Sequence, residues 1–284
     1  MKNATVLVLS GADDVAEGQF AGLADDARDM RLRIDRLIVG ATPDLPVSAA
    51  LGPMGGAIVM PAGWADEVQE MTDKVAERAR AAEERMAEAG LSGNVTALSG
   101  PDATIAAYAA RHALVSDVAV MGNDLRRDAQ LFQVILTSLL FQTSCGVLLN
   151  PPATRPLRPR RVLFAWNASP ASACALRAVL PLLDEPTEIT VACIDPDGLP
   201  LGQGLEPGAD VAAFLAHRGH DVTVVPMPGQ GRPVSDTLRR LATDVQADLT
   251  VMGAYGRSRL RQAILGGTTR AMVEQTDRPV FLAH

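Results

Sequence analysis

The chain has 284 residues, 48% of them hydrophobic and 21% charged, a length and composition that favour one large or two ordinary folded domains and exclude global disorder. The net charge of −7 is uneven: residues 1–150 hold 12 basic against 20 acidic side chains (−8), and residues 151–284 hold 14 against 13 (+1). An acidic first half, followed by a second half without a long basic stripe, argues against a nucleic-acid or anionic-membrane surface.

From the amino end, Thr5 to Leu9, Asp35 to Val39, Val95 to Leu98, Val118 to Met121 and Val147 to Leu149 read as short apolar strands. The stretch from Ala65 to Ala89 is charged, alanine-rich and free of Gly and Pro, which predicts a helix. Thr42 to Gly63, rich in Pro and Gly, reads as an irregular excursion. Ser10-Gly11-Ala12-Asp13-Asp14 lacks the second glycine and terminal serine of a phosphate loop, so it reads as a strand-to-helix turn. Asn150 to Arg160, with four prolines, predicts a stiff, mostly extended linker at 151–160 between domains at 1–150 and 161–284.

The second half alternates more cleanly. Arg161 to Trp166 reads as a strand, and Ser169 and Pro170 as the cap and first turn of a helix running through Leu183. Strands follow at Ile189 to Ile194, Asp221 to Pro226, Leu249 to Met252 and Val280 to Leu282. Between them lie a turn at Asp195-Pro196-Asp197-Gly198 and helices from about Ala209 to His217, from Pro233 to Gln246 and from near Gly267. The second of these repeats Val234, Leu238, Leu241 and Val245 on one helical face. Buried strands alternating with helices predict α/β architecture with a mostly parallel sheet covered on both faces. The run Asp117 to Gly122 matches Asp248 to Gly253, and Gly146 to Leu149 matches Pro279 to Leu282, which indicates an internal duplication.

One stretch carries chemistry. Gly253-Ala254-Tyr255-Gly256 is followed by nine residues and then Gly266-Gly267-Thr268-Thr269. Gly253 lies just past a strand's carboxyl end, where open α/β sheets bind ligands, and Gly266 and Gly267 lie where a helix begins. A helix start offers unpaired N–H groups and partial positive charge, which suits phosphate. Arg257, Arg259 and Arg261 stand between, either adding charge to the loop or simply solvated.

This spacing, entered from Asp-Leu-x-Val-Met-Gly and closed by Pro-Val-x-Leu, resembles the ATP-binding signature of the universal stress protein family. The resemblance implies two tandem doubly wound domains, each a five-stranded, mostly parallel sheet with helices on both faces. It further implies an adenine nucleotide, ATP or AMP with or without Mg²⁺, held at Gly253, Gly256, Gly266 and Gly267. Thr268 and Thr269 would cap the phosphates, Asn167 would reach the ribose, and Ile194 would lie near the adenine. Family members are commonly dimeric, so the first half is expected to act as a pseudo-dimer partner within the chain, with a homodimer also open.

There are departures from the pattern. Gly267 stands where ATP-binding members usually carry Ser or Thr, a loss of about 1 kcal/mol. Asn167 replaces an aspartate. Trp166 would stack on a base, plug the pocket, or fill the core. In the first half the matching loop reads Gly122-Asn123-Asp124-Leu125, with no second glycine, and Asp124 and Asp128 repel a triphosphate; that site is read as lost.

Other chemistry lacks support. The only lysines are Lys2 and Lys74, neither behind a glycine run. There is no Gly-x-Ser-x-Gly elbow, no Cys–His pairing and no metal-ligand spacing. Cys145, Cys174 and Cys193 read as buried reduced thiols, and His217 and His220 as surface residues. No apolar run reaches membrane-span length and no leader-like segment follows Met1, so the expectation is a cytoplasmic, stress-associated protein that uses its nucleotide for regulation rather than catalysis. A nucleotide-free interaction scaffold and a slow ATP hydrolase are the alternatives.

Overall fold

A computed structural model of the chain describes residues 3–13, 17–44, 61–195, 206–254 and 266–284. Along the first half run β1 (Thr5–Gly11), α1 (Glu17–Met30), β2 (Arg33–Ala41), α2 (Trp64–Glu88), β3 (Val95–Gly100), α3 (Asp102–Ala113), β4 (Val118–Met121), α4 (Ala129–Gln142) and β5 (Gly146–Leu149). The second half follows with β6 (Arg161–Ala165), α5 (Pro170–Val179), β7 (Glu188–Ile194), α6 (Ala209–Ala216), β8 (Asp221–Met227), α7 (Val234–Asp244), β9 (Leu249–Gly253), α8 (Gly267–Glu274) and β10 (Val280–Ala283). The irregular excursion expected at Thr42 to Gly63 falls mostly outside the described residues, as does the turn at Pro196 to Gly198.

Local chemistry explains the boundaries. Ser169 and Ser172 form a reciprocal capping box at the start of α5, with Pro170 in the first turn. The helix expected through Leu183 stops at Val179, and a 3-10 turn over Leu180–Leu182 continues it, because Pro181 cannot donate the next helical hydrogen bond.

The strands form one ten-stranded sheet in the order β3-β2-β1-β4-β5-β10-β9-β6-β7-β8. Neighbours are parallel throughout except at the middle, where β5 and β10 run antiparallel with Leu148 opposite Phe281. Each half thus contributes a doubly wound α/β sheet, and the two join edge to edge. Pairing these two edges removes both from solvent, where they would template aggregation.

Side chains alternate across the sheet, so each strand feeds two cores. Val6 and Val8 pack on one face with residues of α1, α5 and α6, in a cluster that reaches Phe281 and Ala283. Leu7 and Leu9 pack on the other with α3 and α4, in a cluster that reaches Met252, Met272 and Leu282. Neither core stops at the linker. The linker itself is pinned: Leu157 is fully buried, its N–H donates to Asp26 Oδ2 at 2.9 Å, and Arg158 bridges Asp29 and Asp184.

Two expectations need correction. Cys174 lies exposed on the outer side of α5, whereas Cys145 and Cys193 are buried and their thiols pushed up by burial to about 12 and about 11. A thiol reagent at neutral pH is therefore expected to label one cysteine in the folded chain and three after denaturation; two fast-reacting thiols before denaturation would contradict this packing. His220 is buried, not on the surface, and burial lowers its pKa; His217 is exposed.

Candidate functional site

The site expected in the second half lies at the carboxyl ends of its strands, where β9 leads towards α8. The ladders match Val6 to Val118 in the first half and Val162 to Leu249 in the second, so Gly11 and Asn167 hold equivalent places, as do Gly122 and Gly253. The two ends of this duplication have diverged in specific ways.

In the first half the loop after β4 is a 3-10 turn, Asn123–Arg127. Asp124 is buried at 4% exposure, and its Oδ2 accepts the N–H of Gly11 at 2.8 Å. The amide at the end of β1 is therefore satisfied by a carboxylate of the chain itself. The start of α4 is closed the same way: Asp128 Oδ1 accepts from Leu131 N at 2.9 Å. A cleft of about 790 Å³ nearby, between α2, α3 and α4, is lined by Asp44, Glu67, Glu70, Asp102 and Asp128 with Lys74 as its one lysine. Lys74 is itself engaged with Asp13, whose carboxyl Lys74 and Arg127 hold below its usual range. Fixed negative charge of this kind repels polyphosphate.

Asp124 also makes a pH prediction. Burial raises its carboxyl above the ordinary 3.8, so the folded chain holds this proton more tightly than the unfolded one. The resulting stabilisation is complete below the unfolded value and is lost as pH rises through the folded one. Asp124→Asn keeps an acceptor for Gly11 and cannot ionise. It is expected to be more stable than wild type near neutral pH, with the gap closing towards about pH 4, the ordinary carboxylate range. Urea midpoints at the two pH values check this, and a gap independent of pH would sink it.

The second half is built differently. The N-cap of α8 is Gly266, which has no side chain to accept from the first turn, and that turn carries no acidic residue. Among the described residues, no heavy atom lies within 4 Å of where a Cβ on Gly266 or Gly267 would stand. Gly266 sits at φ −54°, ψ 144°, a conformation open to any residue. Among the described residues, then, neither crowding nor backbone strain demands glycine at this helix start. Gly267 is exposed, Thr268 half-buried and Thr269 buried at 4% exposure. Asn167 is exposed after β6, and its Oδ1 accepts from Ser169 N at 3.2 Å. Gly256 and the three loop arginines lie outside the described residues.

A profile of the universal stress protein family matches residues 159–284. Residues 159–284 belong to the universal stress protein family. No curated protein sequence matches the chain. Among solved structures, a universal stress protein from Archaeoglobus fulgidus DSM 4304 aligns with 99% of this chain and 96% of its own, at 15% identity and a TM-score of 0.68. A functionally unknown protein from Pseudomonas aeruginosa PAO1 aligns with 99% of this chain and 92% of its own, at 14% identity and a TM-score of 0.56. At these identities the likeness is one of fold, and it runs the length of the chain.

Within the stress-protein domain the expected site residues separate by physical role. Gly253 has a packing reason: a methyl there would collide with the backbone of Ala171 and Ser172 in the first turn of α5. Ile194 is half-buried and packs against the cluster of Leu163, Leu238 and Leu241. Trp166 is core. Its ring lies 5.7 Å from Phe164, in the cluster with Val191 and Phe281, and its Nε1 has no hydrogen-bond partner among the described residues. The indole does not cover the start of α8, so it does not plug that end of the site. Among the described residues, no group of three His, Cys, Asp or Glu is placed to hold a metal ion, and no helix is long and apolar enough to cross a membrane.

Sequence reasoning missed Asp124 as an internal hydrogen-bond partner of Gly11. It also missed Arg126, whose guanidinium reaches from the 3-10 turn of the first half to Val273 O in α8 at 2.9 Å. The signal for the first was an acid immediately before Leu125, which stands where the duplicated loop had lost its second glycine. No signal in the sequence pointed to the second.

Proposed function

We propose that the stress-protein domain binds an adenine nucleotide, ATP or AMP, with its phosphates against the amino end of α8. One observation carries this reading: α4 and α8 occupy duplicated positions, yet α4 is capped by Asp128 whereas α8 starts on two glycines that, among the described residues, have no atom within 4 Å of where a side chain would stand. A helix start presents N–H groups and the positive end of the helix dipole, which favour an anion there. Glycine at both positions admits close approach of a phosphate. Gly256 would extend the cradle, Thr268 and Thr269 would contribute from the first turn, and Asn167 would meet the ribose from the end of β6. Mg²⁺, where bound, would arrive with the triphosphate, since Asn167 offers a neutral oxygen in place of a carboxylate.

The role is regulatory rather than catalytic. The assigned residues include no group suited to act as a general base, so bound nucleotide would serve as a signal or stabiliser. The first half would complete the assembly as a built-in counterpart of the stress-protein domain, in the manner of a dimer, through the β5–β10 pairing.

The rival reading, a scaffold without nucleotide, gains from Gly253 and Trp166, both of which packing explains. Calorimetric titration with ATP and Mg²⁺ separates the two. Saturable binding that Gly256→Val weakens at least tenfold, a loss of about 1.4 kcal/mol, supports the nucleotide site. A flat titration of the wild-type chain supports the scaffold, and phosphate release well above background would promote a hydrolase.

A further inference from the structure

Helix α8 is held at its carboxyl end by the other half of the chain. Arg126 Nη1 donates to Val273 O and its Nη2 to Asn150 Oδ1, both at 2.9 Å. Asn150, buried at 5% exposure just past β5, donates from Nδ2 to Gln275 O at 2.9 Å and Arg278 O at 3.0 Å. The last turn of α8 contains no basic residue of its own, so the cation that a helix carboxyl end favours comes from 147 positions earlier in the chain. The Arg126 guanidinium is fixed further by lying 4.5 Å over the Phe132 ring.

The position of Arg126 gives this contact meaning. It belongs to the 3-10 turn that replaces the glycine loop of the first half, the turn whose Asp124 holds the end of β1. Helix α8 is two turns long, about 12 Å, and behaves as a short rigid rod. Fixing its carboxyl end fixes where its first-turn amides point.

We propose that the remodelled loop of the first half is a positioning element for the nucleotide site of the second, acting through Arg126 on the carboxyl end of α8. The proposal rests on the nucleotide reading above and adds its regulation: displacement of residues 123–127 changes nucleotide affinity in the other half. The coupling needs no direct contact between Arg126 and ligand, only two arrangements of one rigid element.

The test uses the full chain with Arg126→Gln, Arg126→Lys and, as a control for general loss of stability, Ile34→Val in the buried core of the first half. Hydrogen exchange of Thr268 to Glu274 and ATP affinity by calorimetry are read for each. Arg126→Gln is expected to speed exchange in α8 and weaken ATP binding about tenfold, within the usual range of coupling between sites. Arg126→Lys keeps the charge but cannot bridge Val273 and Asn150 with a planar fork, so partial recovery is expected. Ile34→Val should leave ATP affinity unchanged.

Unaltered α8 exchange in Arg126→Gln overturns the brace. Faster exchange with wild-type ATP affinity, or an equal loss of affinity in Ile34→Val, overturns the coupling. A wild-type chain that binds no ATP overturns the nucleotide reading, and with it the coupling, while the exchange measurement still decides the brace.

Discussion

Phe281→Ala is expected to destabilise the chain by about 3–5 kcal/mol, the cost of deleting a buried aromatic ring from a core that cannot collapse around the space. Phe281 is fully buried on β10 opposite Leu148 of β5, at the antiparallel pairing that joins the two halves. Its ring lies directly over Gly146, where any Cβ would meet it, so glycine there makes the room that the ring fills. The ring also belongs to a cluster containing Val6 and Val118 from the first half and Phe164 and Val251 from the second. Equilibrium urea denaturation followed by tryptophan fluorescence and circular dichroism should show a lower midpoint in the variant. The wild-type signals should coincide, because both cores cross the linker. A loss below about 1 kcal/mol would mean that the seam between the halves is not packed by this ring.

Gly253→Val is expected to cost about 3 kcal/mol, and Gly253→Ala somewhat less, because the atoms a new Cβ would meet are backbone. Ala171 and Ser172 form the first turn of α5, held in place by the Ser169–Ser172 capping box, and cannot move aside as a flexible side chain would. A side chain at Gly253 must push α5 off β9. This separates two roles that one glycine motif suggests. A variant at Gly253 should lose stability whether or not nucleotide is present, whereas Gly256→Val should act on binding. Denaturation midpoints without ligand make the distinction, and a Gly253→Ala chain as stable as wild type would refute the packing role.

The residue pattern made the architecture readable because it is written locally. Unbroken buried runs such as Val162 to Phe164 demand burial on both faces, which a parallel sheet between helices supplies. Ser169, Pro170 and Pro181 carry the limits of α5 in their own chemistry, although the stop at Pro181 shortened the helix expected there. The repeat of Asp-x-x-x-Met-Gly reflects one physical need: Asp117 Oδ2 accepts from Thr5 N, and Asp248 Oδ2 accepts from Arg160 N and Arg161 N, each acid fastening a strand start to its neighbour.

What the amino-acid order determined by itself was the type of the second half's elements, the strands and the long helix α2 of the first half, the duplication, and a helix start rich in glycine after a buried strand. Those properties depend on neighbours within a few residues. Only the tertiary structure decided that Gly253 answers to α5, that Asp124 turns inward to serve Gly11, that Trp166 joins the core, and that Arg126 caps a helix in the other half. Each of these is a contact between residues far apart in the chain. The pairing of β5 with β10 makes the last of these possible, since it joins the two half-sheets into one and lets residues of α4 and α8 share a core cluster.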